Sequence, residues 1–571
     1  MTVSSATSTS SAATTASSSS TSSSTSSGGS TSLSSIDWNA LVEAGVQAKL
    51  QAATNIQTTI TANQAKIAAY QKMQTLLSSL ASAAEPFSTS NTSSLATSAF
   101  SARSAAVTAT GSVDPSAAVA MTVDNGAPTG TYTLTISQVA QAQKVTGTAV
   151  ASQSSDLGYT GTFSIGLSGG NSVDIAVNSN MSLQDIASAI NAQETTSNVQ
   201  ASVIQVSSSQ FELVLSATQD GADIVTSAES GDDVLNKLGV TDGSGGFTNE
   251  VEKAQSAIVS LDGITITRNT NDISDVIANT TIHLYQPTPS GSSLNITISP
   301  DTSQISTALQ TLVTDYNAFR DYVTSQQQVA ADGTAASGTV LFGDPTMNDV
   351  MRQLENAMNT TVNGLSLSDL GLSFNSSNDL QLDTTTLQTE LTSNLAGVEA
   401  LLATQALPSS TDLSTIAANG TAPSQFTLDL TVDGSGHLTS ASVGGDTSLF
   451  TVSGNAIIGN TGTPYAGMAF DYTGSTSQSI VVTSTSGIAS LLNGIADTAA
   501  DPSFGSLQTL TSSLQTEGTS LQQQVSDIQS SAAAYQTQLQ TQYAQYQAAI
   551  QEAQNTLTYL SALLNSKSSS S

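Results

Sequence analysis

The chain lacks cysteine, has few basic residues and few aromatic ones, and each shortage excludes a class of function. Without Cys, it can form no disulfide bond, thiolate metal site or catalytic thiol. Lys and Arg number 11 against 43 Asp and Glu, and the formal charge of -32 argues against electrostatic binding to nucleic acid or anionic lipid surfaces. No apolar run approaches the roughly 18 residues that a membrane span needs. What is present is Ser, Thr, Ala, Gly and Gln, in 571 residues that suffice for several domains.

Two short motifs could carry chemistry, and neither is convincing. Gly166-Leu-Ser-Gly-Gly fits the Gly-x-Ser-x-Gly pattern of a nucleophile elbow, but its flanks read as two strands joined by a turn. The chain has only two His, His283 and His437, and His283 lies in an alternating strand. The segment from Asp429 lacks the Asp spacing and the closing Glu of a calcium loop, so it reads as a β-turn. We therefore predict that the chain is not an enzyme and has no catalytic, cofactor-binding or metal-binding residues.

The C-terminal stretch, residues 506–565, has helical periodicity throughout. Its apolar residues follow one another at steps of three or four, and a helix of about 60 residues would be roughly 90 Å long. An amphipathic helix lying on its own globular core is the alternative, but few domains offer so long a surface. The outer face is rich in Gln and poor in charge, which favours a permanent coiled-coil assembly over ionic partner selection. The predicted coiled-coil assembly seam is Leu514, Leu521, Val525, Ile528, Tyr535, Leu539, Tyr543, Tyr546, Ile550, Leu557, Leu560 and Leu564.

The N-terminal region divides into a polar lead and a second long helix. Residues 1–32 are almost entirely Ser, Thr, Ala and Gly, so we expect disorder, and they lack the pattern of a signal peptide. The apolar spacing then predicts a helix that Ser34 or Asp37 caps and Pro86 closes. Two similar coils at opposite ends indicate that the chain goes out along one and returns along the other; the alternative is two unrelated helices.

Between the coils the period changes to two, which predicts several β-rich domains in an α+β multidomain chain. Long terminal helices would form a coiled-coil or helical-bundle leg, and the β-rich heads would be inserted between them. The predicted organisation is a disordered N-terminus at 1–32, an N-terminal coiled-coil leg at 33–87, a β head domain at 95–150 with 251–299, an inserted β-rich head domain at 151–250, a helical leg domain at 300–402, an additional inserted β domain at 421–486 and a C-terminal coiled-coil leg at 488–565.

Several stretches resemble one known family. Leu261-Asp-Gly-Ile-Thr-Ile-Thr-Arg and the residues that follow, up to Leu284, resemble flagellar hook-associated protein 2, the filament cap family. Ser299-Pro-Asp-Thr-Ser-Gln-Ile and Leu312-Val-Thr-Asp-Tyr-Asn-Ala-Phe look like that family's return into its helical leg. The block from Gly161 to Ser216 is similar to the hook-type insertion motif of flagellar axial proteins. The Ser/Thr lead before Leu33 is a departure from the family pattern.

The resemblance implies a structural role outside the cell. A member of this family would form a ring-like homo-oligomer at the distal tip of the bacterial flagellar filament and promote folding and insertion of exported flagellin. The implied partners are the chain itself, flagellin and other axial proteins, and an export chaperone, with export through a route that needs no cleaved signal peptide. Two alternatives stay open: an adhesin whose β heads bind mucin or glycan, and another flagellar axial junction protein.

Overall fold

The computed structural model describes residues 37–88, 98–418 and 421–568, with side chains up to residue 565. The predicted disordered segment at 1–32 lies outside these residues. The helices are α1 Trp38–Ala84, α2 Pro115–Ala118, α3 Leu183–Asn191, α4 Glu194–Ser197, α5 Val234–Lys237, α6 Thr302–Gln326, α7 Pro345–Met358, α8 Thr384–Ser393, α9 Leu395–Leu402, α10 Ile488–Ala500 and α11 Ser506–Ser568.

The strands fall into three groups along the chain. They are β1 Arg103–Thr110, β2 Val119–Val123, β3 Gly130–Gln138, β4 Lys144–Thr146, β5 Gly161–Leu167, β6 Ser172–Val177, β7 Val199–Ser207, β8 Gln210–Ala217, β9 Ile224–Gly231, β10 Asn249–Glu252, β11 Ala257–Leu261, β12 Ile264–Arg268, β13 Asp272–Ile273, β14 Thr280–Leu284, β15 Ser293–Pro300, β16 Leu372–Phe374, β17 Leu380–Leu382, β18 Gln405–Pro408, β19 Leu413–Ala417, β20 Gln425–Val432, β21 Leu438–Ser442, β22 Phe450–Ser453, β23 Ala456–Gly459, β24 Ala469–Tyr472 and β25 Gln478–Thr485. The predicted class of long terminal helices around β-rich heads is confirmed.

The chain divides into two compact units, and the first is a pair of antiparallel helices. It contains α1 as far as Ala65 and α11 from Ser513 onward, which we call the helical pair. Asp37 caps α1 by accepting a 3.0 Å hydrogen bond from the Ala40 amide, whereas Ser34 lies outside the described residues. The two helices run out and back as predicted, because residues that advance along α1 meet residues that recede along α11.

The second unit, Lys66–Ser512, contains a helical body built by α6–α10 and the last turns of α1. Met73, Leu77 and Leu80 of α1 are fully buried. Burial raises the pKa of Tyr70, whose hydroxyl donates a 2.5 Å hydrogen bond to Asp344 Oδ2. Pro86 lies in the short 3₁₀ turn that follows α1, where its ring prevents further helix.

The C-terminal coiled-coil leg predicted at 488–565 is interrupted by a turn. The structure has two helices, α10 and α11, separated by the turn Asp501–Gly505. Pro502 offers no amide hydrogen, and the Asp501 carboxylate accepts the amides of Ser503 and Phe504 at 2.8 and 2.6 Å. The helix therefore stops at Ala500 and restarts at Ser506. Helix α10 packs against α7 in the second unit.

The first β domain is assembled from two distant parts of the sequence. Its five-stranded sheet has the order β1-β15-β3-β11-β12, and a three-stranded sheet β13-β14-β2 accompanies it. In the register, Leu134 of β3 lies opposite both Leu261 and Leu294, and all three are buried. Strands before and after the insertion thus share one core, since neither part could bury its apolar face alone.

The inserted head between them has its own core. Sheets β10-β4-β8-β7 and β6-β5-β9 enclose helix α3, which begins with a capping box between Ser182 and Asp185. Phe163, Ile186 and Leu215 are buried at its centre.

The third β domain lies between α9 and α10. Sheets β18-β25-β20-β21 and β19-β24-β23-β22 enclose a core in which the Tyr465 ring lies 4.9 Å from both Phe426 and Phe450. Gln405, the first residue of β18, pairs with Thr485, the last residue of β25, so the domain leaves the helical body and returns to it at one point.

Candidate assembly interface

The Gly-x-Ser-x-Gly pattern lies in a β-hairpin and not at a nucleophile elbow. Gly166 and Ser172 form the last cross-strand pair between β5 and β6. The turn that joins these two strands contains Ser168 and Gly169, and Gly169 has a φ of +79°. A Cβ at Gly166 would lie 2.3 Å from the Asn171 carbonyl oxygen, so glycine is required there by close backbone approach. The pattern is explained by the turn, because β5 is followed directly by β6 and not by a helix.

The two histidines take part in local hydrogen bonds. His283 Nδ1 lies 2.7 Å from Asp272 Oδ1, and its Nε2 lies 2.8 Å from Thr122 Oγ1, across three adjacent strands. His437 belongs to a turn in which the Asp433 carboxylate accepts amides at 435 and 437, and this binding holds the pKa of Asp433 below its usual range. The sequence indicates that His283 lies in a strand but does not indicate its partners, because they depend on strand pairing.

The part of the chain that the structure describes holds neither a metal-type cluster of side chains nor a membrane-spanning helix. No group of three or more His, Asp and Glu is arranged to hold a metal ion there. No helix in that part of the chain is long and apolar enough to cross a membrane.

The structure divides the predicted seam into a covered and an uncovered half. In the covered half, Leu521, Val525 and Ile528 pack on Ala53, Ile56 and Ile60 of α1. Lys49 Nζ lies 4.5 Å above the Tyr535 ring, and Leu539 is buried. At the end of this half, the ring centroids of Trp38 and Tyr543 are 5.1 Å apart. Leu514 is half-buried.

Beyond Tyr543, α11 continues past the first residue of α1. We call residues 544–565 the overhang; at 1.5 Å per residue it is roughly 33 Å long. Ile550 is half-buried, whereas the other four seam residues are between 49% and 68% exposed: Tyr546, Leu557, Leu560 and Leu564. The structure therefore brings the first seven seam residues and Ile550 to partly or fully buried positions and leaves these four exposed.

One extra step of four, from Leu539 to Tyr543, interrupts the apolar spacing, which alternates between four and three from Leu521 to Leu539 and resumes at Tyr543. From there the steps alternate between three and four, through Tyr546, Ile550, Ala553 and Leu557 to Leu564. A strict alternation averages 3.5 residues, the repeat that keeps an apolar seam facing another helix in a coiled coil. Exposed apolar surface with this repeat is typical of an interface with another helix.

The comparisons with known proteins agree with these features. The family model "Flagellar hook-associated protein 2 C-terminus" matches residues 254–555, its N-terminal counterpart matches 34–143 and "Flagellin hook IN motif" matches 162–219. Flagellar hook-associated protein 2 of Escherichia coli strain K12 is 29% identical over 393 residues, which are 65% of this chain and 78% of that protein. The B-type flagellar hook-associated protein 2 of Pseudomonas aeruginosa is 24% identical over 288 residues, 47% of this chain and 60% of that protein.

Solved structures with similarity include the flagellar cap protein FliD of Escherichia coli, domains D1-D2-D3. Its TM-score is 0.46 at 25% identity, covering 59% of this chain and 90% of that chain. The C-terminal family model alone spans more than half of the chain, which confirms the resemblance and favours neither the adhesin nor another axial junction protein. The chain therefore belongs to the flagellar hook-associated protein 2 family, the filament cap proteins of the bacterial flagellum.

Proposed function

We propose that the chain forms a ring-like homo-oligomer at the distal tip of the flagellar filament, where it promotes folding and insertion of exported flagellin. Family membership supports the place at the tip. The observation that carries the assembly step is the exposed heptad face of the overhang. In this proposal the protein is extracellular, is exported without a cleaved signal peptide and has no enzymatic activity of its own.

In the assembly, the overhang would make contacts with other chains that a single helical pair cannot make by itself. Fully burying one Leu side chain contributes about 1.5–3 kcal/mol, so covering Leu557, Leu560 and Leu564 together would contribute several kcal/mol. Charged residues are few along this face, with Glu552 the one acidic residue within 544–565, so the contact would depend little on salt. Both properties suit a permanent axial assembly with copies of itself and neighbouring flagellar proteins.

Flagellin that reaches the tip unfolded exposes apolar surface and aggregates unless it folds in a sheltered space. A ring of β-rich heads held by helical legs would provide that space and an open position for the next subunit. An export chaperone would be needed earlier, because the same apolar overhang would otherwise be exposed before assembly.

A triple substitution on the overhang tests this proposal. The seam variant carries Leu557→Gln, Leu560→Gln and Leu564→Gln, and the control carries Thr558→Gln, Ser561→Gln and Asn565→Gln one position along each turn. Each is expressed in a strain lacking the gene, and swimming and flagellin in the medium are measured. We expect the control to restore swimming, and the seam variant to leave cells non-motile with abundant soluble flagellin outside. Normal swimming by the seam variant would contradict the proposal.

A further inference from the structure

Strand β7 lies at the edge of its sheet in the inserted head. The order β10-β4-β8-β7 pairs it with β8 on one side, and among the described residues no strand lies on its other side. An edge strand presents a row of backbone N–H and C=O groups that can pair with another extended chain. The outer side of β7 is therefore a place where a further strand can be added.

The side chain of Asn191, the last residue of α3, occupies the first part of this edge. Its Oδ1 accepts a 2.7 Å hydrogen bond from the Ala201 amide, and its Nδ2 donates a 2.8 Å hydrogen bond to the Ala201 carbonyl oxygen. These are the two bonds that a neighbouring strand would make with Ala201. Asn191 thus satisfies one residue of the edge and shows which side of β7 the backbone groups of Ala201 face.

Beyond Ala201 the edge is open. The register with β8 is regular from Val199 to Gln205, and in such a strand every second residue directs its N–H and C=O to the same side. The backbone groups of Val203 and Gln205 therefore face outward, like those of Ala201. Within the described part of the chain, no hydrogen bond from another residue reaches them.

Strand β7 also lacks the charges that protect other edges. Residues 199–210, which are β7 and its turn into β8, contain no Asp, Glu, Lys or Arg, whereas β10 at the opposite edge of the sheet carries Glu250 and Glu252. Charged side chains on an edge strand discourage pairing with other chains. On the solvent face of β7, Ile204 and Val206 are 49% and 47% exposed. The open edge is therefore both uncharged and apolar.

The acidic residue opposite Ile204 does not guard this edge either. Glu212 of β8 is the cross-strand partner of Ile204, and its Oε2 accepts a 2.9 Å hydrogen bond from Thr146 Oγ1 of β4. Strand β4 lies on the side of β8 that is away from β7. The Glu212 carboxylate is therefore directed away from the open edge.

We propose that the open edge of β7 binds an extended, apolar segment of an unfolded polypeptide, and that this polypeptide is exported flagellin. The inference rests on the proposed function, in which flagellin reaches the cap before it has folded. The bound segment adds a strand that pairs with Val203 and Gln205 and packs an apolar side chain beside Ile204 or Val206. Main-chain hydrogen bonds supply the affinity in such strand addition, so one edge can accept different segments of an unfolded chain. A folded chain pairs its own backbone groups and is released.

Two variants remove the edge in different ways. Q205P deletes an outward amide and leaves the hydrogen bonds to β8 in place, because the Gln205 amide does not face β8. I204K/V206K keeps every backbone group and adds the charges that protect natural edges. V251K is the matched control, since Val251 is 56% exposed on β10, at the opposite edge of the same sheet. Circular dichroism checks that each variant is folded.

Light scattering measures the binding. The full chain carries the triple Gln overhang substitution, so that the exposed leucines of the overhang do not hold the probe, and flagellin of the same strain is diluted into it from urea. We expect this protein and V251K to suppress flagellin aggregation equally. Q205P and I204K/V206K should each need about fivefold more protein for the same suppression, because edge pairing is lost. No suppression by the parent protein, or equal suppression by all variants, would overturn the inference.

Hydrogen exchange locates the contact. We expect flagellin to slow exchange of the backbone amides of Val203 and Gln205 and to leave β9 and β10 unchanged. Unchanged exchange at Val203 and Gln205 would contradict strand addition. Slowing that depends on the concentration of the protein itself, without flagellin, would mean that two copies pair at this edge and would also overturn the inference. Neither result bears on the cap role, which the overhang variants test separately by swimming.

Discussion

Asn63 is a polar residue placed where the helical pair otherwise buries apolar ones. It follows Ile60 at seam spacing on α1 and is 8% exposed, and its Nδ2 makes no hydrogen bond within the described part of the chain. A buried amide without a partner costs about 1–3 kcal/mol. Such residues are used in coiled coils to favour one register over others. The Asn63 side chain therefore both lowers the stability of the helical pair and favours one register of its two helices.

We expect Asn63→Leu to raise the free energy of unfolding of the helical pair, because the desolvation cost disappears and apolar contact is gained. A rise of about 1–3 kcal/mol is expected from urea unfolding followed by circular dichroism at 222 nm. Asn55→Leu is the control, since Asn55 is exposed on the same helix and its replacement should change stability by no more than about 0.5 kcal/mol. Destabilisation by the substitution at 63 would mean that the amide has a partner.

At the scale of elements, local patterns predicted much of the fold, and tertiary partners explain the rest. Helix α3, Leu183–Asn191, is an element that the sequence can predict, because its apolar spacing and its cap are both local. Strand β9 could not be predicted in this way, since its exposed half, ending in Glu229-Ser-Gly, gives no sustained alternation. The assembly seam was predicted as one continuous interface, and the role of its residues in assembly stays a prediction. Periodicity alone could not reveal that α1 covers its first part only.

Two glycines at the C-terminal helices should respond oppositely to alanine. Gly518 lies inside α11, where a Cβ would meet no atom within 4 Å, so Gly518→Ala should stabilise the helix by about 1 kcal/mol. Gly505 lies where a Cβ would be 2.5 Å from a backbone oxygen, so Gly505→Ala should lower the unfolding midpoint. Thermal unfolding of both variants beside the parent chain measures this. Equal shifts of one sign would contradict the assigned packing.

At the scale of the whole molecule, each β-rich region has a separate core, which explains how one domain can be inserted into another. Among the described residues, the core of the domain at 405–485 contains side chains from β18–β25 and their loops and none from the helical body. Its ends are adjacent, because Gln405 and Thr485 are direct cross-strand partners. Beyond them, Gly487 packs on the backbone at Leu402 and Ala403, so the helical body closes beneath the domain.

We therefore expect residues 405–485 to be removable as a unit. A variant in which two Gly replace this segment should keep α9 and α10 packed and remain folded, because a cross-strand pair of Cα atoms is only about 5 Å apart. The excised segment should fold alone, with a β-type circular dichroism spectrum and a cooperative thermal transition. Restored swimming by the deletion variant would place the assembly function in the helical legs and remaining heads. An unfolded fragment together with an insoluble deletion variant would mean that the domain and the helical body depend on each other.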